Sequence, residues 1–213
     1  MKIILTGATG MVGEGVLLTC LADEMVTEVL VLGRRKLDYQ HEKLKQIIVP
    51  EFLNIADQHL TLEGYDACFY CAGISSVGLN EKEYTAITYD ATLAMAKVLL
   101  VQNPTMVFNY VTGRSTNING EAMWARVKGK TEIDLQQLGF KGQYNFRPAL
   151  MLPFKEQKNV KYIYRVLAQI LSYFMRKSTI TLQQLGNSML NVVEYGYAKN
   201  VLEVEDIKMM SVR

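Results

Sequence analysis

The sequence predicts an α/β fold, a Rossmann-type doubly wound parallel sheet with a small C-terminal helical lobe. Three observations carry that expectation. Short apolar runs alternate with longer segments of helical period. Several of the runs are nearly continuous in apolar residues, as strands covered on both faces are. The first run leads straight into Gly7, Gly10 and Gly13, where the first helical pattern begins. Strand, helix, strand repetition with right-handed crossovers then gives a parallel sheet with helices on both sides.

In chain order, Lys2–Thr6, Glu28–Leu32, Gln46–Val49, Asp66–Cys71, Met106–Val111 and Tyr144–Phe146 read as strands. Met11–Ala22, Asn80–Val101 and Gly120–Leu138 have helical spacing, with Pro104 stopping the second and Gly139 following the third. Leu37–Leu44 leaves little room for a helix, so the crossover between the second and third strands is expected to be short or irregular. After Pro153 come a helix over Asn159–Met175, another over Leu182–Glu194 and an apolar run at Asn200–Val204. No Gly/Ser linker or repeat separates this tail, so 1–213 is expected to be a single domain with 154–213 as its C-terminal, substrate-side lobe. The Asn159–Met175 helix carries an apolar stripe. Its burial against the domain is expected, with a membrane or partner surface as the alternative.

Composition narrows the function. The 23 Lys and Arg against 21 Asp and Glu leave a net charge of +2, which creates no global field for nucleic acid. The apolar N-terminal run is too short for a signal-peptide core and no stretch is apolar enough to span a bilayer, so a cytoplasmic protein without an integral membrane segment is expected. Cys20, Cys68 and Cys71 cannot all pair, and reduced thiols are the simpler reading. Cys68 and Cys71 sit three apart in a strand and point to opposite faces, which argues against a redox or metal pair. With His41 and His59 as the only histidines, no zinc cluster is expected.

The chemistry begins at Thr6-Gly7-Ala8-Thr9-Gly10-Met11-Val12-Gly13. Glycines at these places permit a tight turn, let backbone N–H groups approach a pyrophosphate, and let helix meet sheet closely. The helix N-terminus favours the phosphates, so a dinucleotide is the expected ligand. An NAD site usually places a carboxylate about 20 residues beyond the last glycine. That place holds Gly33 followed by Arg34, Arg35 and Lys36, and guanidinium forks grip a 2′-phosphate; NADP(H) is therefore preferred and NAD(H) left possible. Glu51-Phe52 is expected to flank the adenine, and Cys71-Ala72-Gly73 to supply small residues where the cofactor passes.

With these motifs and Trp124-Ala125-Arg126-Val127-Lys128 in order, the chain resembles the short-chain dehydrogenase/reductase superfamily. It looks most like the atypical NAD-dependent epimerase/dehydratase-like branch that contains the Tat-interacting proteins. Gly33–Leu37, Val127-Lys128-Gly129, Phe146-Arg147-Pro148 and Met189-Leu190-Asn191 carry that likeness. The resemblance implies a catalytic Ser at Thr112 or Gly113, a Tyr at Trp124 and a Lys at Lys128. Only the lysine survives as written. An indole N–H donates a hydrogen bond but cannot pass a proton as a tyrosine does. Thr112 would still offer a hydroxyl, Lys128 would hold the nicotinamide ribose, and the backbone of Pro148 and Ala149 would meet the nicotinamide amide. Tyr84, Tyr89 and Tyr110 are substitute acids only if they face the pocket.

Two readings follow: an NADP-dependent oxidoreductase acting on a small molecule, or a catalytically silent NADPH-binding sensor or scaffold. A protein partner or homodimer is compatible with either. The loops at Ser75–Glu83 and Ser115–Met123 carry no decodable substrate motif.

Overall fold

In β1 (Lys2–Thr6) every residue after Lys2 is buried, and alternate side chains serve opposite cores. Ile3 and Leu5 point to one side of the sheet and Ile4 to the other. The same alternation runs through β2 (Glu28–Gly33) and β4 (Ala67–Tyr70), which flank β1 in parallel register. The computed structural model, which describes residues 1–212, extends this pattern into one seven-stranded parallel sheet. With β3 (Leu44–Ile48), β5 (Val107–Val111), β6 (Gly142–Phe146) and β9 (Val201–Leu202), its order is β3-β2-β1-β4-β5-β6-β9. The chain order reverses direction between β1 and β4, and this switch point opens a crevice at the carboxyl ends of the strands.

One face is covered by α1 (Met11–Ala22), α6 (Leu182–Tyr195) and α7 (Val204–Met210), the other by α3 (Ala91–Gln102) and α4 (Met123–Gln136). The α1–α6 contact is close because each helix offers a glycine to the other. A Cβ at Gly15 would lie 2.7 Å from Leu182, and one at Gly186 2.6 Å from Thr19.

The expected Asn80–Val101 helix is continuous but not uniform: α2 (Glu81–Thr85) passes through a π-helical stretch at Ala86–Asp90 into α3. The strand expected at Gln46–Val49 begins earlier, at Leu44, and the helix expected from Gly120 begins at Met123. No helix joins β2 to β3, as the short 37–44 segment implies.

The C-terminal region is less purely helical than expected. β7 (Leu150–Leu152) and β8 (Thr179–Thr181) form a small parallel pair, and β9 closes the main sheet. The apolar run at 200–204 splits between β9 and the start of α7.

The burial expected for the 159–175 helix is overturned. In α5 (Tyr162–Phe174) only Ala168 is buried, and the apolar stripe faces outward. The reason is the inner side, where polar groups fix the rotation. Tyr164 Oη donates to the Met151 carbonyl at 3.0 Å, and the Arg165 guanidinium donates to the carbonyls of Phe154 and Gln157.

Candidate functional site

The turn after β1 has the geometry its glycines require. Gly7 adopts φ +75°, and a Cβ there would sit 2.5 Å from the Cys71 carbonyl. A Cβ at Gly13 would lie 2.2 Å from the Gly7 carbonyl, so the first turn of α1 rests directly on the loop. Gly10 N–H donates to the Gly7 carbonyl at 2.9 Å and closes the turn. No side chain caps α1 at Gly10, which leaves its first N–H groups to a ligand or solvent.

A cleft of about 630 Å³ opens above this turn. Gly7, Ala8, Thr9 and Gly10 form its floor, Arg34 and Arg35 one rim, Glu51 and Phe52 an end, and Cys71, Ala72 and Gly73 the side beyond β4. Eleven of the expected cofactor residues therefore converge. Met11, Val12 and Gly13 do not line the cleft; they belong to the helix that supports it. Lys128, Pro148 and Ala149 also lie outside it, toward β5, β6 and α4.

The π-helical stretch adds a wall that sequence reasoning missed. Ala86 and Ile87 of this stretch and Ala91 at the start of α3 line the cleft. Nothing in the local sequence marks this stretch apart from ordinary helix. Cys71 contributes surface only, since burial pushes its thiol pKa up and keeps it protonated. Cys68 packs in the opposite core from Cys71, and all three cysteines are free.

A second cluster lies beyond β5. Thr112 is buried, and its hydroxyl contacts Glu132 Oε1 at 2.7 Å and the Phe146 carbonyl at 3.2 Å. Arg147 Nε donates to the same Glu132 oxygen at 3.0 Å, its other arm pairs with Oε2, and Glu203 lies 3.3 Å from the guanidinium. Glu132 holds Arg147 protonated, above its ordinary pKa. Lys128 Nζ donates to the Thr112 carbonyl at 3.2 Å, and burial lowers its pKa against an opposing pull from Glu132. Trp124 is half-buried one turn before Lys128.

Glu132 went unnoticed in the sequence. Its signal was present: it stands four residues after Lys128 and eight after Trp124, on the same helical face.

The substitute acids do not face the cleft. Tyr84 and Tyr110 are buried, and burial raises the pKa of both hydroxyls. Tyr89 Oη donates to Asp134, with Lys130 over its ring at 3.8 Å. A neighbouring carboxylate captures the group that the pattern left open.

The glycine turn, the crevice at the strand ends and the lysine-bearing helix match the NAD dependent epimerase/dehydratase family model over residues 3–131. The chain belongs to that family. Among relatives, it is 24% identical over 153 residues to the rat protein HTATIP2, covering 71% of this chain and 63% of that one. It is 28% identical over 151 residues to mitochondrial FMP52 of Candida glabrata, covering 70% and 63%. The chain thus spans less than two thirds of the length of these relatives.

Among solved structures, Helicobacter pylori ADP-L-glycero-D-manno-heptose-6-epimerase shares the epimerase/dehydratase fold with a TM-score of 0.72 at 15% identity, over 97% of this chain and 78% of that one. UDP-glucuronic acid 4-epimerase of Bacillus cereus, in complex with NAD, gives 0.67 at 13% identity over 96% and 76%. At such identities the likeness is one of fold.

The NADP(H) preference read from Arg34 and Arg35 is corrected by the family match: the family is NAD dependent. The physical reason lies at the rim. Both arginines are exposed, and among the described residues neither guanidinium is fixed by a hydrogen bond or ion pair. A solvated cation with no neighbouring group holding it in place does not by itself fix a 2′-phosphate.

Proposed function

We propose that the chain binds NAD(H) in the 630 Å³ cleft and acts as an oxidoreductase of the epimerase/dehydratase type on a small molecule. The convergence of Gly7–Gly10 with Cys71–Gly73 carries this reading, since the loop packs this closely on Cys71 and on α1 only while positions 7 and 13 lack a Cβ. Bound NAD(H) supplies hydride transfer. Gly7, Ala8, Thr9 and Gly10 hold the phosphates, and Glu51 and Phe52 border the adenine. Lys128 Nζ, tethered to the Thr112 carbonyl, retains two N–H bonds for a ribose hydroxyl or substrate oxygen. Its lowered pKa makes that ammonium a readier proton donor than an exposed lysine. Thr112 positions Lys128 and Glu132, and Pro148 and Ala149 border the nicotinamide end. Trp124 takes the place of the family's tyrosine as an apolar wall.

A second reading is a catalytically silent NAD(H)-binding sensor or scaffold. It is favoured by the Thr112–Glu132 contact, which occupies the hydroxyl otherwise offered to a substrate carbonyl.

NADH fluorescence titration, thermal unfolding with NADH, and turnover on a carbonyl panel separate these readings. Turnover that Lys128→Met abolishes while NADH still binds supports the first. A ligand-induced rise in Tm without turnover supports the second, and new reductase activity in Trp124→Tyr would identify a site that lacks only its acid. No NADH binding overturns both.

A further inference from the structure

The least ordinary surface of the molecule is α5. Ile163, Leu167, Ile170 and Phe174 recur at spacings of four, three and four, so they form one stripe along about 17 Å of helix. Their exposures are 67%, 52%, 54% and 78%, whereas Ala168 on the inner side is 1% exposed. The stripe is therefore turned to solvent by the Tyr164 and Arg165 hydrogen bonds, not left there by fraying. Tyr162 and Tyr173 stand exposed along one edge of the stripe, apolar in the ring and polar at the tip.

Charge selects the occupant. From Gln157 through Val193 the sequence contains no Asp or Glu but five cations, Lys158, Lys161, Arg165, Arg176 and Lys177. Arg165 is turned inward, while the other four are exposed just before and just after α5. Both ends of the stripe are thus basic. A second copy laid against it, parallel or antiparallel, would oppose cation to cation with no carboxylate in this segment to pair them. An anionic lipid surface meets both requirements, because acyl chains accept the stripe and headgroup phosphates accept the flanking lysines and arginines. Among the described residues no helix is long and apolar enough to cross a membrane, so the contact is interfacial.

We infer that α5 is an interfacial anchor that lays its Ile163–Phe174 stripe into an anionic membrane surface. The glycine cleft is lined by none of the α5 side chains, so docking leaves it open to nucleotide.

The test is co-sedimentation of the full chain with vesicles of phosphatidylglycerol and phosphatidylethanolamine, against vesicles of phosphatidylcholine. Binding to the anionic vesicles, weakened by salt, is expected. Leu167→Glu with Ile170→Glu abolishes it, and Lys161→Glu with Arg176→Glu and Lys177→Glu lowers it at least about tenfold. All five positions are exposed, and an unchanged Tm together with unchanged NADH binding confirms that the variants fold. No vesicle binding, or equal binding to neutral and anionic vesicles, overturns the proposal. A dimer in solution that Ile170→Glu dissolves, without vesicle binding, also overturns it and assigns the stripe to self-association.

Discussion

Thr112 Oγ1 lies 2.7 Å from Glu132 Oε1, which joins the end of β5 to the middle of α4 through a buried carboxylate. Arg147 shares that carboxylate, so three elements meet on one group. Glu132→Ala would leave Arg147 without its inner partner and Thr112 without its acceptor on α4. The expected cost is about 3 kcal/mol, the scale for breaking a buried pair by removing one member. Thr112→Val, losing one hydrogen bond, costs about 1 kcal/mol. Urea unfolding of the two variants and of the double variant checks this, and the double variant should cost less than the sum.

The glycines of the first turn are not equivalent. A Cβ at Gly13 would meet the Gly7 carbonyl at 2.2 Å, whereas one at Gly10 would meet it at 3.4 Å, with φ in the ordinary extended region. Gly13→Ala must push the loop away from α1 and is expected to weaken NADH binding by about tenfold or more, a loss of ~1.4 kcal/mol. Gly10→Ala is expected to change affinity less than threefold, about 0.6 kcal/mol. Fluorescence titration of both variants measures the difference, and equal losses would show that the contact at Gly13 does not govern the cradle.

The strands and the glycine cleft were legible because their signals are local. β1 and β2 are apolar runs bounded by turns, and Gly7–Gly13 lies between a strand and a helix. What escaped depends on partners distant in sequence. The outward rotation of α5 follows from Arg165 meeting the Phe154 and Gln157 carbonyls, which helical period cannot reveal. β9 is too short to announce itself and forms because it pairs with Asn145 and Phe146 of β6. The basic turn misled for a related reason: Arg34 and Arg35 occupy an informative position, but sequence does not show whether a side chain is held or solvated.

Lys128 carries a pH signature. Burial lowers its folded-state pKa below that of the unfolded chain, so the unfolded state binds more protons between the two values. The folded protein is penalised below the folded pKa, and the penalty is relieved as pH rises from that value toward the unfolded one. Lys128→Met removes this contribution. Unfolding measured at pH 7 and pH 9.5 should show a more favourable change with rising pH in the wild type than in the variant. Identical pH dependence would mean that the attraction of Glu132 cancels the effect of burial and leaves the ammonium unshifted.

Asp206 gives the opposite dependence at the acid end. It stands at the third residue of α7, with 2.7 Å contacts from both Tyr197 Oη and Lys199 Nζ and a 3.1 Å bond from the Glu203 N–H. Burial raises its pKa, but these three donors outweigh burial and the net shift is downward. A carboxyl with a depressed folded pKa contributes stability above its unfolded value, near 3.9, and loses it as pH falls through the folded value. Asp206→Asn should therefore cost about 1–2 kcal/mol at pH 6 and narrow its deficit below pH 3. Lys199 is 63% exposed at its side chain, so Lys199→Ala should cost clearly less than Asp206→Asn. If Lys199→Ala instead matched Asp206→Asn, the solvated ion pair, and not the Tyr197 and Glu203 hydrogen bonds, would be what fastens α7 to β9.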